Sequence, residues 1–283
     1  MKRGKNIQMF LLDGDVNGRI KCSVANWTGV AFKVPRISLD ICKDRNELKQ
    51  TGVYFLFGVD DQTEEKVVYI GQAGIRKNGE GLLNRILEHN RNPKKDYWTE
   101  AIMLTTTDDS LGPTEISYLE HQFCQLAAEA KRYTVKNGND PTPGNISEEK
   151  MCELEDFIDY AKIIIAVLGH KVFVPITPEV NDTSSNELLY CKRNGSNAIG
   201  QITADGFVVK KGSAISSKIT NSCPESVIKK RDQNRDRIKE YILQDDILFN
   251  SPSGAACFVV GGSANGNTEW KTADGATLKE LEK

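Results

Sequence analysis

Two tyrosines, an arginine, a histidine and a glutamate are the residues of this chain best suited to shared chemistry. Tyr54 closes the triplet Gly52-Val53-Tyr54, and Tyr69 opens the triplet Tyr69-Ile70-Gly71. Arg85 and His89 follow four residues apart, and Glu120 comes later. Phenol and imidazole can exchange a proton, and a guanidinium forks onto a carboxylate or a phosphate. Glu120 falls inside an apolar stripe of Ile116, Leu119, Phe123, Leu126 and Ala127. A carboxylate on a core-facing stripe is costly unless something pairs with it. Its partner is either Arg85 or a cation.

The spacing predicts the elements that position these groups. Runs 53–57 and 67–70 are β-branched and aromatic and flank the polar run 60–65, the pattern of a β-hairpin. A turn centred on Asp61-Gln62 sets Tyr54 directly opposite Tyr69, so the two phenols share one face. Residues 82–89 predict a short helix with Leu82, Leu83, Ile86 and Leu87 as its stripe and Arg85 and His89 on another face. A second helix starts at Pro113, and a third strand covers 101–106. The intervening loop 91–98 carries Lys94 and Lys95 with Tyr97 and Trp98. That mixture suits a nucleic-acid-binding rim, through phosphate neutralisation and base stacking.

Gly52-Val53-Tyr54, Tyr69-Ile70-Gly71, Arg85, His89 and Glu120, in this order, resemble the GIY-YIG nuclease superfamily. The resemblance covers roughly residues 51–145, with valine at the centre of the first triplet where the family has isoleucine. It implies an endonuclease that hydrolyses DNA phosphodiester bonds. Glu120 would hold one Mg²⁺ or Mn²⁺, and Arg85 would grip the scissile phosphate. Tyr54 would take the proton of the attacking water, Tyr69 would orient that water, and His89 would share the proton or position Tyr54. An asparagine after the glutamate helix completes such sites. Asn137 is the choice here, with Asn139 and Asn145 as alternatives. A catalytically silent DNA-binding protein, and an adaptor in which Glu120 merely pairs with Arg85, are the competing readings.

The rest of the chain frames this core. Its 283 residues, 39% hydrophobic and 27% charged with a net charge of −2, suit a globular protein without a bulk basic signal. Any DNA surface is then a local patch. No run reaches the length of a membrane span, and no signal-peptide core follows the N-terminus. The seven dispersed cysteines form no close pair, which speaks against zinc and for a reducing, cytoplasmic setting. No small-molecule cofactor is expected.

The fold class expected is α+β, a small antiparallel sheet flanked by helices plus a smaller C-terminal α+β domain. Residues 1–50 read as a basic N-terminal β extension, 51–146 as the nuclease domain and 147–180 as a helical bridge. Residues 181–186 read as a linker and 187–283 as the C-terminal domain. In that domain one helix is expected over 224–243, where Lys229, Lys230 and Arg231 are candidate phosphate contacts. Ser251-Pro252 predicts a helix start, and Asn265-Gly266 a tight turn leading to Trp270. This pattern resembles an uncharacterised domain often fused to GIY-YIG nucleases. It is also similar to RAMA domains, which implies a role in sensing modified bases.

Overall fold

Apolar, β-branched segments build a seven-stranded sheet in the first of the two units into which the chain divides, Met1–Val174 and Pro175–Lys283. The computed structural model describes residues 4–74, 81–138, 142–176 and 187–281, and of Lys94 only the backbone. The strands are β1 (Ile7–Leu11), β2 (Ile20–Val24), β3 (Gly29–Pro35), β4 (Gly52–Val59), β5 (Lys66–Ala73), β6 (Trp98–Thr106) and β7 (Thr134–Val135). Their order is β1-β2-β3-β6-β4-β5-β7, antiparallel throughout except for the parallel β5–β7 pair. The N-terminal strands thus extend the sheet that holds both tyrosines.

Three helices cover this sheet. Helix α1 (Leu82–Asn90) and the 3-10 turns between Arg36 and Lys49 lie on one face. Helices α2 (Pro113–Ala130) and α3 (Glu148–Val167) lie on the other. Pro113 occupies the first turn of α2, where its missing N–H costs nothing. Ser147 caps α3 by accepting from the Lys150 amide, and Gly169 at φ 109° lets the chain leave it. The face of α3 carrying Leu154, Phe157, Ile158, Ala161, Ile164 and Ile165 is buried, each large side chain contributing about 1.5–3 kcal/mol. The helix therefore packs on the sheet of the first unit.

The hairpin register differs from the expected one. Tyr54 opposes Gly71, and Tyr69 opposes Leu56. Asp60 shapes the turn, its carboxylate accepting from the amides of Gln62 and Thr63. Its own amide donates to the Glu65 carbonyl oxygen across the loop. Asp60 thereby centres the turn one residue later than Asp61-Gln62. The slip is two residues in register, so the two phenols keep the same face and become diagonal neighbours. The basic residues of the N-terminal strands are tied to acids: Arg19 to Asp13, Lys21 to Glu47, Lys33 to Glu100 and Arg36 to Asp96.

The second unit is also α+β. Strands β8 (Leu188–Cys191), β9 (Ala198–Thr203) and β10 (Gly206–Val209) lead to α4 (Glu225–Gln233). The hairpin β11 (Ile238–Lys239) and β12 (Ile242–Leu243), strand β13 (Ile247–Phe249) and helix α5 (Pro252–Val260) follow. The main sheet runs β13-β10-β9-β8. The single helix expected over 224–243 is corrected. Residues 229–237 contain no apolar side chain, so a continued helix has no stripe to bury. The chain turns instead through Glu240 and Tyr241, both at positive φ.

Ser251 caps α5 through the Gly254 amide, as its sequence predicts. Asn265-Gly266 forms no hairpin turn. Asn265 caps the short helix α6 (Gly266–Glu269). A Cβ on Gly266 would come 2.3 Å from the Pro252 carbonyl carbon, so glycine is needed for this close approach. Trp270 is a core residue, fully buried with its indole N–H donating to the Pro252 oxygen at 3.0 Å. Among the described residues no helix is long and apolar enough to cross a membrane. All seven cysteines are unbridged.

Candidate active site

The glycines of the two triplets decide where Tyr54 lies. A Cβ on Gly71 would come 2.4 Å from Cζ and Oη of Tyr54, so the ring lies flush on β5 because nothing projects there. A Cβ on Gly52 would come 2.1 Å from the Leu104 oxygen and 2.7 Å from Cδ1 of Leu82. That glycine lets β4 sit close to both β6 and α1. The buried face of α1 carries His89 to the same spot, and Tyr54 Oη lies 2.6 Å from His89 Nε2. The Tyr69 ring completes the cluster, with its centroid 5.1 Å from that of His89 and 6.3 Å from that of Tyr54.

Burial sets the electrostatics. It pushes the Tyr54 phenol well above its ordinary range, with the neighbouring Tyr69 and the charge of Glu120 adding to the effect and Arg85 opposing it. Tyr69 is raised by burial first and by Glu120 second. His89 is pushed down to about 4, mainly by burial and then by the cations Lys95 and Arg85. The imidazole is therefore neutral at pH 7. The short contact with Tyr54 joins two neutral groups that share one proton.

Arg85 pairs with Glu88, one turn on, at 2.8 Å. Among the described residues no ion pair joins Arg85 to Glu120. The carboxylate on the α2 stripe is thus half-buried and raised by desolvation. A hydrogen bond from Gln72 and the charge of Arg85 pull it partly back. Ser117, one turn before Glu120 on α2, donates to Gln72 Oε1 at 3.1 Å and leaves the Gln72 NH₂ for that carboxylate. Sequence reasoning passed over Gln72, whose one signal is that it directly follows Gly71. A single half-buried carboxylate, already bearing a desolvation cost, fits one hard cation held mostly by water and substrate. Among the described residues no group of three or more His, Cys, Asp or Glu side chains gathers as a metal cluster.

Asn137 is near the site but points at the backbone. Its amide oxygen accepts from Ile70 N–H at 3.1 Å, and its NH₂ donates to the Ile70 oxygen at 2.7 Å. The side chain imitates one more residue of β7 beside β5, and so holds the strand that presents Tyr69 and Gly71. Asn145 is exposed, and Asn139 lies outside the described residues.

The expected DNA-contacting lysines divide. The Lys95 ammonium lies 3.5 Å from the centre of the Tyr69 ring. The Lys94 side chain lies outside the described part, and Trp98 is fully buried. On α4, Lys229 is exposed. Lys230 instead donates to the Leu248 oxygen at 2.9 Å and lies over the Phe249 ring. Arg231 is buried, donating to the carbonyl oxygens of Ser216, Phe258 and Val259. The last two belong to the C-terminal turn of α5, where a cation is favoured. Lys230 and Arg231 are therefore corrected from phosphate contacts to parts of their own unit. They stand three and four residues after the buried Val227, which puts them on the packed face of α4.

No curated protein and no solved structure matches the chain. Residues 189–282, within the second unit, match the family described as "Domain of unknown function (DUF4357)".

Proposed function

We propose that this chain is a metal-dependent endonuclease that hydrolyses DNA phosphodiester bonds, resembling GIY-YIG nucleases, in restriction of foreign DNA or in repair. The observation that carries the reading is the neutral Tyr54–His89 pair at 2.6 Å, flanked by Tyr69, Arg85 and the half-buried Glu120. It is supported by the DUF4357 match, since such units are commonly paired with GIY-YIG-like nucleases.

In this mechanism a water oxygen attacks phosphorus, the P–O3′ bond breaks, and the 3′ oxygen leaves as an alkoxide that takes a proton from solvent. Tyr54 passes its own proton to the neutral His89 as it accepts the water's proton, so no buried phenolate is left behind. Tyr69, the more exposed phenol, orients the water. Arg85, held by Glu88 at one nitrogen and hydrogen-bonded to Tyr54, would fork onto the phosphate. Glu120 would hold a single Mg²⁺ or Mn²⁺, which supplies charge neutralisation on the phosphate and at the departing oxygen.

The test is nicking of supercoiled plasmid with Mg²⁺ or Mn²⁺, comparing wild type with Glu120→Gln and monitoring both by thermal melt. The expected result is metal-dependent nicking that the variant loses while its melt is unchanged or slightly higher, because a neutral amide is cheaper to bury. A variant that unfolds, or a wild type that cuts nothing, overturns the reading. Plasmids with methylated adenine or cytosine in the same assay test whether the second unit reads base modification.

A further inference from the structure

Lys95 sits inside the tyrosine cluster instead of on its rim. Its ammonium lies 3.5 Å from the centre of the Tyr69 ring. The loop that carries it is fastened on both sides by Arg36, which bonds Asp96 Oδ1 at 2.7 Å, the Trp98 oxygen at 3.1 Å and Asn90 Oδ1 at 2.7 Å. Residue 95 is therefore presented from a fixed point between the end of α1 and the start of β6.

The charges around Lys95 do not balance. The lysine lies over Tyr69 of β5 and near Arg85 and His89 of α1. Glu88 is paired with Arg85 and Asp96 with Arg36. His89 is neutral at pH 7, and the phenols hold their protons. Among the described residues no acid forms an ion pair with Lys95. Burial, and then repulsion from Arg85, pull Lys95 down to about 8. Two cations held near one another beside the half-buried Tyr69 form an arrangement that an anion completes.

We propose that Lys95 and Arg85 together form a two-cation cradle for one backbone phosphate of DNA beside Tyr69. The nature of the anion rests on the nuclease reading, and the geometry of the cradle does not. Lys95 supplies the point charge and Arg85 the fork, so one phosphate is held from two sides beside the proton-accepting Tyr54. The lysine is then a substrate contact within the site, distinct from a general electrostatic rim.

The experiment measures binding of the full chain to a fluorescein-labelled duplex in EDTA, so that no cutting is possible, across a NaCl series and a pH series. Lys95→Met should flatten the log–log salt dependence by about 0.9, the value for one lost phosphate contact. Wild-type affinity should fall severalfold as pH rises from about 7 to about 9, as Lys95 loses its proton. Lys95→Arg should bind as well as wild type and stay flat over the same range, which a packing role for the lysine stem would not produce. If Lys95→Met fails to fold, the pH comparison with Lys95→Arg carries the test.

Identical salt slopes for wild type and Lys95→Met, equal pH dependence for wild type and Lys95→Arg, or no binding of the wild type, each overturn the cradle. A wild type that binds with a Lys95-dependent slope but nicks no plasmid overturns the nuclease reading and leaves the cradle standing. A wild type that nicks while the slopes coincide does the reverse.

Discussion

The ring of Tyr54 lies across the bare Cα of Gly71, its directly opposed partner in the hairpin. The hydroxyl that reaches His89 is aimed by this absence of a side chain. Gly71→Ala inserts a methyl group 2.4 Å from Tyr54 Oη, and in so packed a place the ring must move. The expected cost is about 1–3 kcal/mol of stability. Nicking should fall with it, out of proportion to the fraction unfolded. Urea denaturation beside a nicking assay checks both, and a variant as stable and as active as wild type contradicts the geometry.

His89 makes the protein acid-sensitive. Its folded pKa of about 4 lies below the ordinary 6.5, so below pH 6.5 the unfolded chain takes up a proton that the native site refuses. Its contribution is fully present above pH 6.5 and is lost progressively as pH falls toward 4, by about 3 kcal/mol at most. His89→Gln should flatten this part of the stability–pH curve and lower nicking by about 10²–10⁴ at neutral pH. Denaturant midpoints measured across that window separate the two proteins.

The hairpin, the three helices of the first unit and the shared face of Tyr54 and Tyr69 were legible because period-2 and helical patterns put each of these on a definite face. The place of His89 was not: expected on another face of α1, it stands three after Ile86 and seven after Leu82 and is buried with them. The register was not, because Asp60 chooses the turn centre through side-chain hydrogen bonds that hydropathy does not encode. Nor was the partner of Glu120. Arg85 lay within plausible reach on the sequence, but it turns to Glu88 on its own helix, and the carboxylate accepts from Gln72 instead. Lys230 and Arg231 show a different failure. Counting charges on α4 hid their spacing from Val227, which puts two of the three on its packed face.

Asn137 fastens the strand behind the site without touching the phenols. Asn137→Ala removes two hydrogen bonds from Ile70, at about 1–2 kcal/mol in total. Because β7 pairs with β5 only through Val67 and Val68, the loss should loosen the edge beyond them. Hydrogen exchange should show faster exchange at the Ile70 amide, with the amides of β3 and β6 unchanged. A uniform rise across the sheet would mean that Asn137 supports the fold as a whole instead of this strand.

Arg231 is the sharpest test of the second unit, because its two readings predict opposite results. As a phosphate contact it would cost binding and little stability when replaced. As the buried donor to Ser216, Phe258 and Val259 it holds the end of α5, and Arg231→Met leaves those carbonyls without it. Each unsatisfied buried acceptor costs about 1–3 kcal/mol. The second unit should therefore lose about 3 kcal/mol or more, seen as early exchange of the Trp270 indole N–H while the amides of β4 stay protected. Lys229→Met, at an exposed position four residues after Glu225 and three before Asp232, should stay within about 0.5 kcal/mol of wild type. Equal melts for the two variants would put Arg231 back on the surface.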